Sequence, residues 1–190
     1  MIMRLGFPEG LLTNQSAAVW HEFYALAGGA AVTLVGLLFV SLSFHLDTLL
    51  DDHHRHLLAA ARLTFMNFIF VLMLSLFMLI PEISPQMLGV ACFVLSTVSL
   101  AGILADSLKN RIPRNASAHE KFLQRRYAMT GVIMGLAITA SAMLVLKPKA
   151  ILLYEFVPVV CAVLANASGM SWDLLVQVAR IRRAHEAEKA

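Results

Sequence analysis

The chain is 190 residues long, 59% hydrophobic and only 14% charged, against about 25% charged residues in ordinary soluble domains, and its mean hydropathy is +0.74. Once the apolar stretches are set aside, no remaining segment is long enough to bury a core of its own, which excludes a separate soluble catalytic domain. The formal charge of +3 does not point to nucleic acid, because no basic run is interleaved with base-stacking aromatics; in a membrane protein, basic residues first report which loops stay in the cytoplasm.

A hydrocarbon core of ~30 Å takes roughly 20 apolar residues of helix. Five runs of about that length are nearly free of Asp, Glu, Lys and Arg: 23–46, 63–81, 87–105, 127–146 and 150–172. The expected fold class is therefore all-α, a single domain over 1–190 built as an integral membrane bundle of five transmembrane helices. The first 22 residues hold Glu9 and Glu22 but only Arg4, and lack the cationic start and immediate apolar stretch of a signal peptide, so the first span is expected to be retained.

Span one places Glu22, Gly29, Gly36 and Ser43 at a spacing of seven, with Ala25 and Gly28 alongside. Small residues let helix backbones approach closely in lipid, where the hydrophobic effect between helices is absent. Gly131, Gly135 and Thr139 repeat the pattern in span four. Two readings fit: packing within one five-helix bundle, or a subunit interface or pore lining.

After span one comes the densest polar cluster, Asp51-Asp52-His53-His54-Arg55-His56, with His45 and Asp47 just before it. Asp52, His53 and His56 are candidate metal ligands, since carboxylate and imidazole suit zinc, copper, nickel or iron. The cluster also suits a pH sensor. No four-ligand pattern is complete, and Arg55 disfavours a bound cation, so a solvated turn is the preferred reading and no cofactor is expected. Asp51 or Asp52 can cap a helix that runs through His56 and Arg62 into span two and projects beyond the bilayer.

Span two carries Thr64, Asn67, Ser75 and Glu82 on one side. Pro81 and Pro85 bracket a tight turn before span three. Ser117-Ala118-His119-Glu120 reads as a capping box that starts the fourth helix ahead of the membrane, and Lys147-Pro148-Lys149 turns the chain into span five. There Glu155, Ala162, Asn166, Gly169 and Asp173 follow at +7, +4, +3 and +4 and share a face, with Pro158 placed to bend the helix near Glu155. Charged and amide groups at membrane depth are costly and usually face the bundle interior or water. Glu155, Asn166, Asp173, Asn67 and Ser75 are accordingly read as a polar seam between spans two and five. The alternative reading puts Glu155 and Asp173 at the interfaces, with Asn67 and Asn166 making interhelical hydrogen bonds.

An odd number of spans places the termini on opposite sides. Arg55, Arg62, Lys109, Arg111, Arg114, Lys121, Arg125, Arg126, Arg180, Arg182, Arg183 and Lys189 fall on one side, and Arg4, Lys147 and Lys149 on the other. This asymmetry predicts a cytoplasmic C-terminus and an external N-terminus. Trp20, Tyr24 and Tyr154 then mark the outer interface, and Tyr127 and Trp172 the inner one.

Motifs for catalysis are missing. Gly169-Met170-Ser171-Trp172-Asp173 departs from the nucleophile elbow at its last position, and there is no metalloprotease helix, Walker loop or dinucleotide fingerprint. The seven histidines all lie at or beyond span ends, against a bis-histidine membrane haem. Cys92 and Cys161 both fall in apolar stretches and imply neither a disulfide framework nor a zinc cluster.

At Trp20-His21-Glu22-Phe23-Tyr24, Gly28-Gly29-Ala30-Ala31, Gly36-Leu37-Leu38-Phe39-Val40-Ser41-Leu42-Ser43 and Leu79-Ile80-Pro81 the chain resembles a group of small, uncharacterised bacterial inner-membrane proteins, mainly over residues 19–90. The resemblance implies a bacterial inner membrane and no particular chemistry. The expected function is that of a non-catalytic subunit or regulator of a membrane assembly, with the lipid bilayer and a second copy or another membrane protein as partners; the alternative is an oligomeric small-ion or proton pathway along the polar seam.

Overall fold

A computed structural model describes residues 9–44, 55–81, 83–109, 118–147 and 150–188. It is helical throughout, and among the described residues no strand is present. The elements are α1 (Glu9–Ser43), α2 (Arg55–Met78), α3 (Pro85–Lys109), α4 (Ala118–Leu146), a 3-10 segment (Ala150–Glu155) and α5 (Phe156–Glu188). Five helices are long and apolar enough to cross a membrane: His21–Ser43, Leu57–Met78, Pro85–Leu108, Leu123–Leu146 and Leu152–Gln177. These segments contain most of each expected span.

The helix boundaries follow from local chemistry. The turn after α2 closes with Ile80 N–H donating to Phe77 O at 3.3 Å, and Pro81 cannot continue the helix. Ser84 then caps α3, its Oγ accepting from Met87 N–H at 3.3 Å, while Pro85 takes the first helical position, where a missing N–H costs nothing. α4 begins at Ala118, and Ser117 of the expected capping box lies outside the described residues. The start of span five needs a correction, because residues 150–155 form a 3-10 segment and the α-helix begins only at Phe156. Pro158 supplies the reason. In an α-helix through 150–155 its ring would clash with the carbonyl of Tyr154 and one hydrogen bond would be lost, whereas in the first turn of α5 it fits.

α2, α3, α4 and α5 pack in a ring, each on the next and α5 back on α2, with α1 laid along α2 and α5. Half of the apolar window of α2 is buried, against 22% of that of α1, so α2 is central and α1 peripheral. The core joins Phe70, Val71 and Leu74 of α2 to Met134 and Leu144 of α4 and to Phe156, Val160 and Val163 of α5. The outward surface is apolar, with Leu26, Phe39, Val98, Val132 and Trp172 all largely exposed, as a surface facing lipid would be.

The glycines that set close helix approaches are Gly28 and Gly89. A Cβ on Gly28 would stand 3.1 Å from Ser75 Cβ, and one on Gly89 would meet Val145 N at 3.1 Å. By contrast, a Cβ on Gly29, Gly36, Gly131 or Gly135 would meet no atom within 4 Å among the described residues, so these four set no close helix approach there. The reason is angular. α1 buries Tyr24, Ala27, Ala31 and Leu38, and at about 100° per residue Gly29 and Gly36 stand roughly 140–160° away from Ala31 around the helix.

Candidate functional site

The polar residues of α4 and α5 converge near the end where α4 begins. α4 offers Arg126 and Thr130, one turn apart, and α5 offers Asn166, Gly169 and Asp173 along one face. Arg126 reaches across with two arms: Nη1 donates to Asn166 Oδ1 at 2.9 Å and Nη2 to Asp173 Oδ2 at 3.1 Å. Asn166 Nδ2 donates back to Thr130 Oγ1 at 2.9 Å, and Thr130 Oγ1 donates to Arg126 O at 3.0 Å. The loop of bonds is closed, which fixes the orientation of the Asn166 amide from both sides. Gly169 makes it possible, since a Cβ there would lie 3.3 Å from Nη2 and 3.5 Å from Nη1.

Asn166 and Thr130 are buried, and the side chains of Arg126 and Asp173 keep only 19% and 35% of their surface exposed. The planar guanidinium suits this task, because a single fork serves an amide oxygen and a carboxylate together. Withdrawing the ions from water costs part of what their attraction returns. A second pair, Arg62 Nε to Asp106 Oδ2 at 3.4 Å, ties α2 to α3 at the same end, with Arg62 59% exposed. Exposed pairs of this kind contribute about 0–1 kcal/mol.

The structure thus distributes the expected seam. α2 and α5 do pack together, but Asn166 and Asp173 bond to Arg126 and Thr130 of α4, neither of which the sequence marks as part of a site. Asn67 and Ser75 of α2 are buried, and Asn67 Nδ2 and Ser75 Oγ have no hydrogen-bond partner among the described residues. Glu155 is exposed and stands eleven positions before Asn166, about 16 Å along the chain at helical rise. It lines a groove of about 420 Å³ between α4 and the start of α5, walled by Ile133, Leu136, Thr139, Ala140 and Met143 on one side and by Leu152, Pro158, Val159 and Ala162 on the other.

The segment from Gly169 to Asp173 lies inside α5, and Ser171 Oγ donates to Ala167 O at 3.0 Å. A nucleophile elbow needs a strand-to-helix turn instead. Of the metal candidates, Asp52 and His53 lie outside the described residues, and His56 lies in α2 ahead of its first described side chain. Among the described residues no group of three or more His, Cys, Asp or Glu is placed to hold a metal ion. Cys92 is buried and Cys161 exposed, both as free thiols. Compared with family profiles, curated proteins and solved structures, the chain matches none.

Proposed function

We propose that the protein is a multi-pass protein of the bacterial inner membrane that acts without catalysis, as a subunit or regulator of a membrane assembly, with its N-terminus outside and its C-terminus in the cytoplasm. The observation that carries this reading is the open glycine face of α1. A Cβ on Gly29 or Gly36 would meet no atom within 4 Å among the described residues, and both share their side of the helix with Thr33 and Val40, which are exposed. Glycine costs helix stability, and in lipid its return is the close approach of another helix. A second helix, from another copy or another membrane protein, would supply what this chain does not. The closed Arg126–Asn166–Thr130 loop supports the same reading, because it commits polar groups of α4 and α5 to holding the bundle together.

Cysteine cross-linking in native membranes tests the proposal. In a Cys161→Ser background, Val40→Cys is expected to give an oxidised adduct with itself or a second membrane protein, and Leu58→Cys, exposed on α2, to give none. Absence of any adduct at position 40 would count against a subunit role.

The alternative, a small-ion or proton pathway, is favoured by one observation: Asn67 Nδ2, Ser75 Oγ and Ser96 Oγ are buried without partners among the described residues, and such groups are costly unless they meet water or an ion. Flux of cations or protons into protein-loaded vesicles, reduced by Asn67→Leu, would favour it. Flux no greater than that of empty vesicles would remove it.

A further inference from the structure

The groove between α4 and the start of α5 has the dimensions and chemistry of a lipid site. Its α4 wall runs from Ile133 to Met143, about 15 Å at helical rise, which is one leaflet of a ~30 Å hydrocarbon core. Its volume of about 420 Å³ falls within the range of small-molecule sites, roughly 300–1,000 Å³. The walls are apolar except for Thr139 and Glu155. Glu155 sits at the helix end of the groove, in the last position of the 3-10 segment, and Lys147, exposed, closes α4 on the same side.

A carboxylate on an outward, apolar flank is expensive in a bilayer unless a cation meets it. Among the described residues no basic side chain pairs with Glu155. It stands just before the first turn of α5, beside the positive end of that helix's dipole, and its outer side is open. An ammonium group carried by the bilayer itself completes that arrangement.

We propose that this groove binds a phospholipid with a primary ammonium headgroup, one acyl chain lying between α4 and α5 and the ammonium donating hydrogen bonds to Glu155. The quaternary ammonium of a choline lipid carries the same charge but no N–H to donate, and an anionic glycerol headgroup carries neither. The retention order expected is therefore ethanolamine above choline above glycerol headgroups.

The test uses the full chain in detergent, titrated with dioleoyl phosphatidylethanolamine, phosphatidylcholine and phosphatidylglycerol, with bound lipid counted by native mass spectrometry. Wild type is expected to hold the ethanolamine lipid about fivefold more tightly than the choline lipid, the scale of one modest charged contact. Glu155→Gln should remove that preference with the melting temperature unchanged. Thr139→Trp, at an exposed groove position, should weaken all three lipids together. Equal retention of the three headgroups by wild type, a preference that survives Glu155→Gln, or retention unaffected by Thr139→Trp would each overturn the assignment.

Discussion

Gly169 of α5 lies against the guanidinium of Arg126 of α4, so closely that a Cβ at 169 would stand 3.3 Å from Nη2, 3.5 Å from Nη1 and 3.8 Å from Cζ. The fork therefore has room at 169 for a methyl and for little more. A methyl there meets only the far end of a flexible side chain, which yields by a few tenths of an ångström, and alanine gains about 1 kcal/mol of helix propensity over glycine. Gly169→Ala is therefore expected to leave stability within about 1 kcal/mol of wild type. Gly169→Leu cannot be accommodated this way. It should displace the fork, strand Asn166 Oδ1, and cost about 1–3 kcal/mol, read as a lower midpoint in detergent unfolding.

The two arms of Arg126 are expected to separate in a double-mutant cycle. Asp173 is a third exposed, so solvent screens its share, and Asp173→Asn should cost no more than about 1 kcal/mol. Arg126→Met removes the partner of buried Asn166 as well, and should cost about 1–3 kcal/mol more than a surface substitution. If the coupling energy between positions 126 and 173 is zero while Arg126→Met alone is destabilising, the Asn166 arm carries the contact.

Much of the architecture was legible in the chain because it depends on local rules. The five apolar runs and the Pro81–Pro85 turn need only length and φ constraints. The site was less legible. Arg126 sits at the edge of span four among Lys121 and Arg125, where basic residues report topology, and nothing local says that it turns inward to α5. Asn166, Gly169 and Asp173 were grouped on one face by spacing alone, but spacing names no partner helix. The seven-residue stripe of Gly29 and Gly36 had two readings for the same reason. A helix carries small residues on whichever side needs close approach, and only the placement of α2 and α5 against Tyr24, Ala27 and Ala31 shows which side that is.

Glycine substitutions should divide according to what each would touch. A Cβ on Gly89 meets Val145 Cγ2 at 3.0 Å and Val145 N at 3.1 Å. Backbone cannot move aside as a side-chain end can, so Gly89→Val should force α3 and α4 apart, at about 1–3 kcal/mol or more. Gly36→Leu has open space among the described residues and should leave the monomer's unfolding midpoint unchanged. The same substitution should sharply reduce cross-linked yield at position 40. A Gly36→Leu protein that keeps full cross-linking in membranes would show that this face of α1 meets lipid alone.

The last expectation concerns orientation. The last turns of α1, α3 and α5 and the first turns of α2 and α4 share one end of the bundle, while the α2–α3 turn, the end of α4 and the 3-10 segment share the other. Arg62 and Arg126 at the first end are paired with Asp106 and Asp173, yet acidic residues contribute little to topology, so the pairing does not erase the bias. The bias rests chiefly on Lys109 through Arg126 and on Arg180 through Lys189 against Arg4, Lys147 and Lys149. A fluorescent reporter that matures only in the cytoplasm should be bright when fused after Ala190, and a phosphatase that folds only outside should be active when fused after Lys149. Replacing Arg180, Arg182 and Arg183 with Gln removes part of the bias but leaves the larger α3–α4 group, so the orientation should persist. Phosphatase activity after Ala190 together with fluorescence after Lys149 would reverse the assignment and place the Glu155 groove in the cytoplasmic leaflet.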